Sequence, residues 1–157
     1  MKANPATVTA MAAVPERCYF GDYPTLSETA AVYGRKTAVQ WLSAQLTAAS
    51  AFCGARNMTA GQIDTLAQMI HSEYCWLRIT EVMLFLYKWM TGKYGEQYGS
   101  VDPQSIMRAL ATFVNNDRAT AYDIRERERQ RTLNEQYARN AVPMPDYVKQ
   151  TINRVRK

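Results

Sequence analysis

An all-α fold follows from three features of this 157-residue chain. Apolar residues recur at three- and four-residue spacing along most of its length, period-two alternation is almost absent, and Thr-x-x-Glu/Gln boxes mark helix starts. The expected architecture is a compact bundle of about five helices followed by a long charged C-terminal helix. Three segments are expected: a flexible arm over 1–24, a helical bundle over 25–116 and a charged helical extension over 117–157.

The arm carries Pro5, Pro15 and Pro24 without sustained periodicity and reads as irregular chain. Thr25-Leu26-Ser27-Glu28 is a capping box that opens a short helix, and Gly34 closes it. A second helix places Val39, Leu42, Leu46, Ala49 and Cys53 on one face, with Gly54 as its stop. Thr59 and Gln62 form another capping box, followed by the stripe Ile63, Leu66, Ala67, Ile70 and Tyr74. The fourth helix starts at Thr80 and is apolar nearly all round from Val82 to Met90, interrupted by Lys88, so it belongs in the middle of the bundle.

Gly92 breaks that helix, and the stretch through Gly99 reads as a glycine-punctuated loop or small ribbon. Asp102 as N-cap and Pro103 at the first helical position start a fifth helix, whose buried face is Ile106, Ala109, Leu110, Phe113 and Val114. From Asp117 to Asn140 the composition turns to Glu and Arg, with Asp123–Arg127 and Glu135–Arg139 at supporting i, i+4 spacing. Tyr122, Leu133 and Tyr137 give this helix only a thin apolar stripe, and Pro143 and Pro145 end it. A short basic helix or frayed tail follows from Asp146.

Composition sets the outer bounds. With 47% hydrophobic and 21% charged residues the chain is an ordinary globular domain in balance. Cys18, Cys53 and Cys75, an odd number at wide spacing, read as reduced thiols of a cytoplasmic protein. The N-terminal stretch lacks the basic and apolar regions of a signal peptide, and the longest apolar run is too short to span a bilayer. The net charge of +5 is unevenly placed. Residues 1–116 hold nine Lys/Arg against eight Asp/Glu, whereas residues 117–157 hold ten against six, a bias toward nucleic acid or another acidic partner.

No motif for catalysis is present. His71 and Glu73 give the H-x-E half of a zinc deaminase signature, but the P-C-x-x-C half is missing. His71 and the three cysteines lack the close-paired spacing of structural zinc sites, so a helix-surface histidine and core thiols are expected instead. A P-loop and a G-x-S-x-G elbow are absent, and Glu73 and Glu81 lie at no spacing that implies a shared site. A non-enzymatic protein with no metal and no cofactor is expected.

The loop bearing Lys93, Tyr94 and Tyr98 combines a cation, aromatics and glycines, a mixture that stacks on unpaired bases or docks into a partner; tyrosines capping the core are the alternative. Arg125, Arg127, Arg129 and Arg131 alternate at every second residue, which spreads them around a helix, and Glu126, Glu128 and Glu135 dilute their field. A solvated face laced with ion pairs competes there with phosphate contact. These seven residues are the positions best suited to nucleic-acid or partner binding.

The central sequence, MTAGQIDTLAQMI, then Glu73-Tyr74, then ITEVMLFLYKWMTGKYGEQYGSVDPQSIMRALATFV, resembles a family of short helical proteins from gut Bacteroidales genomes, their mobile elements and phages. The resemblance covers roughly residues 35–118 and implies a setting without a reaction. The chain is also similar in pattern to phage helicase-loader proteins, which join a folded domain to a charged segment that grips the helicase. That likeness implies an adaptor in mobile-element or phage DNA metabolism, with residues 117–157 as the gripping segment. The partner would be a helicase, with nucleic acid contacted through the basic segment and no membrane. An inhibitor of a host defence nuclease complex and a homo-oligomeric structural module are the alternatives.

Overall fold

The computed structural model describes residues 5–53, 58–95, 101–141, 145, 146 and 148. The fold is all-α: α1 (Pro5–Ala12), α2 (Pro15–Phe20), α3 (Leu26–Tyr33), α4 (Arg35–Phe52), α5 (Ala60–Glu73), α6 (Ile79–Met90), α7 (Pro103–Thr112), a π-helical segment (Phe113–Arg118) and α8 (Ala119–Asn140). Extended pairing among the described residues is limited to one antiparallel bridge, Thr25 with Arg78. No helix among them is long and apolar enough to cross a membrane. The chain divides into two compact units, Met1–Ala121 and Tyr122–Lys157.

In the first unit α6 is the central element. Its residues Val82, Met83, Leu84, Phe85, Leu86 and Trp89 point in every direction around the axis and are all buried. A helix without a polar face must be covered on each side. The neighbours α1, α2, α4 and α7 provide that cover. The ring of Phe85 lies 5.7 Å from Phe113, which in turn stacks on Tyr19 at 6.0 Å. Each such large apolar side chain contributes about 1.5–3 kcal/mol through burial.

The capping boxes are formed as the spacing predicts. The Thr25 hydroxyl accepts from the Glu28 amide and the Glu28 carboxylate accepts from the Thr25 amide, and Thr59 with Gln62 repeats the exchange. Asp102 accepts from the amides of Gln104 and Ser105, with Pro103 at the first helical position. Gly34 ends α3 at φ 86°, a left-handed conformation that admits glycine without strain. The stripes of α4, α5 and α7 face the core, although Cys53 and Val114, each at the end of its stripe, are only half-buried. Gly54, the expected stop of α4, lies outside the described residues.

Two expectations are corrected. Where an irregular arm is expected, residues 5–20 form α1 and α2, which pack on α6 and bury Cys18 and Tyr19. Pro5 and Pro15 each sit at a helix start, where a missing N–H costs nothing and the fixed φ suits the first turn. His71, expected on a helix surface, is 8% exposed, and its Nε2 has no hydrogen-bond partner. Packing of α4 against α5 encloses it, and that burial, with the nearby Arg35 charge, lowers its pKa and keeps the ring neutral.

Truncating Leu66, which is 1% exposed, should leave a cavity. Leu66→Ala is expected to lower the unfolding free energy by about 2–5 kcal/mol. Loss of the α5 cap in Thr59→Ala should cost about 1 kcal/mol. Urea unfolding followed by far-UV circular dichroism measures both, and equal losses would contradict this ranking.

Candidate functional site

The polar side chains of α6 are the starting point, because an apolar interior leaves them no water. Thr80, fully buried, donates to the Cys18 carbonyl at 2.8 Å and so ties α6 to α2. Glu81 is also fully buried. One carboxylate oxygen accepts from the Arg78 amide and caps the helix; the other accepts from Arg118 Nε, both at 2.8 Å. The Arg118 guanidinium lies 4.7 Å from the centroid of the half-exposed Trp76 ring, a cation–π contact. Burial pushes the Glu81 carboxyl above its ordinary range despite the Arg78 amide and the Arg118 charge.

Two turns along α6, Lys88 Nζ meets Asp117 Oδ2 at 2.7 Å and sits over the rings of Phe113 and Tyr19. Just beyond the helix end, Gly92 adopts φ 79° and turns the chain back. The returning residues place Lys93 Nζ at 2.6 Å and the Tyr94 hydroxyl at 2.8 Å from the same Asp117 oxygen. Burial works to raise the Asp117 carboxyl, but the bonds from Lys88, Lys93 and Tyr94 outweigh it and hold it below the usual range. Tyr94 is pushed upward by burial and by its bond to Asp117, and Tyr19 by burial and the nearby carboxylates, so both phenols stay protonated.

Asp117 and Arg118 meet these partners because residues 113–118 widen into a π turn. Its hydrogen bonds join residues five apart, and such single turns recur at functional positions in helices. Phe113, Asp117 and Arg118 all face α6 in consequence. Both polar residues therefore belong to the body of the protein, whereas the sequence reads them as the start of the charged tail. Chemically the cluster is a latch: an ionised carboxylate with three donors on one oxygen is a poor base, and Lys93, 48% exposed, is its outlet to solvent.

Lys93 and Tyr94 thus join one cluster, with Tyr94 half-buried against Phe85 at 6.0 Å. Tyr98 lies outside the described residues. Arg125, Arg127, Arg129 and Arg131 belong to the second unit and are exposed on α8, of which no residue is buried. Ion pairs there include Glu126–Arg129 at 3.3 Å and Arg131–Glu135 at 3.7 Å, where Asp123–Arg127 and Glu135–Arg139 pairs are expected from the sequence. Glu81, Lys88, Asp117 and Arg118 were not singled out by sequence reasoning. Their signal was present: two charges inside an apolar helix, and an Asp four residues after Phe113 on the stripe of α7.

A second polar grouping lies on α8, where Arg127, Gln130, Arg131, Asn134 and Glu135 line a shallow, open depression. An apolar cleft of about 250 Å³ between α1, α4 and α6 is lined by residues such as Ala49, Met83, Leu86 and Met90, and among the described residues Tyr87 is its one titratable side chain. Among the described residues no group of three or more His, Cys, Asp or Glu is placed to hold a metal ion.

The two carboxylates act oppositely on stability. Asp117, held below the ordinary range, contributes stability at higher pH that is lost as pH falls from about 4 through its lowered value. Glu81, held above that range, weakens the fold as pH rises from about 4 through its raised value. Urea unfolding across acid and neutral pH should show the acid-side loss reduced in Asp117→Asn and the opposing slope removed in Glu81→Gln. Profiles unchanged from the parent chain would contradict the assignment.

No curated protein and no solved structure matches the chain. A family model covers residues 57–154, from the start of α5 past the end of α8, and on that match the protein belongs to a family of unknown function, DUF6633.

Proposed function

We propose that this protein is a non-enzymatic helical adaptor in the DNA metabolism of a mobile element or phage, acting in the cytoplasm. The first unit is the platform and α8 the contact element. The observation that carries this reading is that α8 runs for 22 residues without burying one of them. The Glu126–Arg129 and Arg131–Glu135 ion pairs contribute a few tenths of a kcal/mol each. Isolated helices are marginal in water, and most helices owe their stability to packing. A long polar helix of this kind is suited to a partner outside the chain. Exposed Ile124 and Tyr137 offer such a partner apolar anchors, and five arginines offer it charge.

The resemblance to helicase loaders favours a replicative helicase as the protein partner, gripped by the charged segment, with DNA contacted alongside. In fluorescence anisotropy with labelled single-stranded and duplex DNA, the full chain should bind with an affinity that falls steeply with salt, and R125E/R127E/R129E/R131E should lose binding. Absence of binding at low salt would remove direct DNA contact. A partner captured through α8 would then favour the inhibitor of a defence complex.

A further inference from the structure

The arginines of α8 alternate in sequence, but a helix turns once every 3.6 residues, and its phase sorts them. Arg125, Arg129, Thr132, Gln136 and Arg139 follow one another at spacings of four, three, four and three. They occupy one sector about 80° wide and about 21 Å long, from 1.5 Å rise per residue. No carboxylate falls inside it. Glu126 lies on one flank, and Glu128 and Glu135 lie on the other. Arg127 and Arg131 are on the far side of the helix, where Arg131 pairs with Glu135.

We infer that the strip Arg125–Arg129–Thr132–Gln136–Arg139 is a docking face for the phosphate backbone of duplex DNA, with Arg127 and Arg131 turned away from it. This rests on the DNA-contact reading and adds which face makes the contact and which form of DNA it takes. Charge complementarity carries it: three guanidiniums and two neutral polar side chains form a line that no carboxylate interrupts. Of the neutral residues, Gln136 supplies a further donor of the kind that bonds phosphate oxygens, while the Thr132 hydroxyl donates to the Glu128 carbonyl and adds no charge. The Glu126–Arg129 pair on the flank joins side chains 64% and 69% exposed, so solvent weakens it and a phosphate can displace the carboxylate. Duplex DNA is favoured because no aromatic ring interrupts the strip between Arg125 and Arg139. Binding of unpaired bases relies on such rings for stacking.

The test compares two variants that remove equal charge from opposite faces of the full-length protein, R125Q/R129Q and R127Q/R131Q. Anisotropy with a labelled duplex is measured across a salt series, and circular dichroism checks that helicity is kept. The slope of log affinity against log salt should become shallower by about 1.8 in R125Q/R129Q, from about 0.9 per phosphate contact, and stay unchanged in R127Q/R131Q. R139Q should remove about 0.9. Equal losses from both double variants would overturn the face assignment while DNA contact stands. Single strands binding as tightly as duplex would overturn the choice of duplex. No DNA binding by the parent chain at low salt would overturn the DNA-contact reading, and this inference with it.

Discussion

The whole first unit depends on one constraint: α6 has no side that can face water. Its apolar residues oblige other helices to surround it, and its few polar groups decide which neighbour goes where. Thr80 selects the end of α2 through the Cys18 carbonyl, Glu81 selects Arg118, and Lys88 selects Asp117. Each would leave an unsatisfied group inside the core if its partner were misplaced. Removing one member of a buried ion pair costs far more than the pair itself contributes. The hydrophobic effect therefore assembles the bundle, and three polar contacts specify its arrangement.

The second unit follows the opposite principle. Nothing in α8 is buried, and several of its side chains bond within the helix: Glu126 with Arg129, Gln130 with Asn134, Arg131 with Glu135, and Thr132 with the Glu128 carbonyl. Such local bonds support helical backbone and leave the surface chemistry available. The π turn stands where the first regime gives way to the second. Arg118 still reaches Glu81, 37 residues away, whereas Arg129 and Arg131 pair with Glu126 and Glu135, three and four residues away.

Legibility in the sequence followed the length and regularity of each element. The stripes of α4, α5 and α7 and the boxes at Thr25 and Thr59 could be read directly, since several turns of periodic spacing and a local hydrogen-bond exchange need no knowledge of the rest of the fold. The six-residue α2 spans too few turns to show a period, and its proline looked like a loop signal although it occupies a helix start. His71 is enclosed by α4, a neighbour that α5 does not encode. Asp117 and Arg118 looked like the head of a charged tail because nothing local announces a wide helical turn. In α8 the alternation leaves Arg125 and Arg129 on one side and Arg127 and Arg131 on the other, and only the helical phase brings Arg139, far along the sequence, to the first side.

The limits of the shared sequence and of the hydrophobic core do not coincide. The family match begins at residue 57, after α4, yet α6 is covered by α1, α2 and α4 as well as by α7. The Thr80 hydroxyl, inside the match, has its acceptor at Cys18, outside it. A segment consisting of the matched region alone would carry α6 with much of its circumference bare. The matched region therefore carries the central helix of a core whose remaining walls, and the acceptor of its buried hydroxyl, lie outside the match.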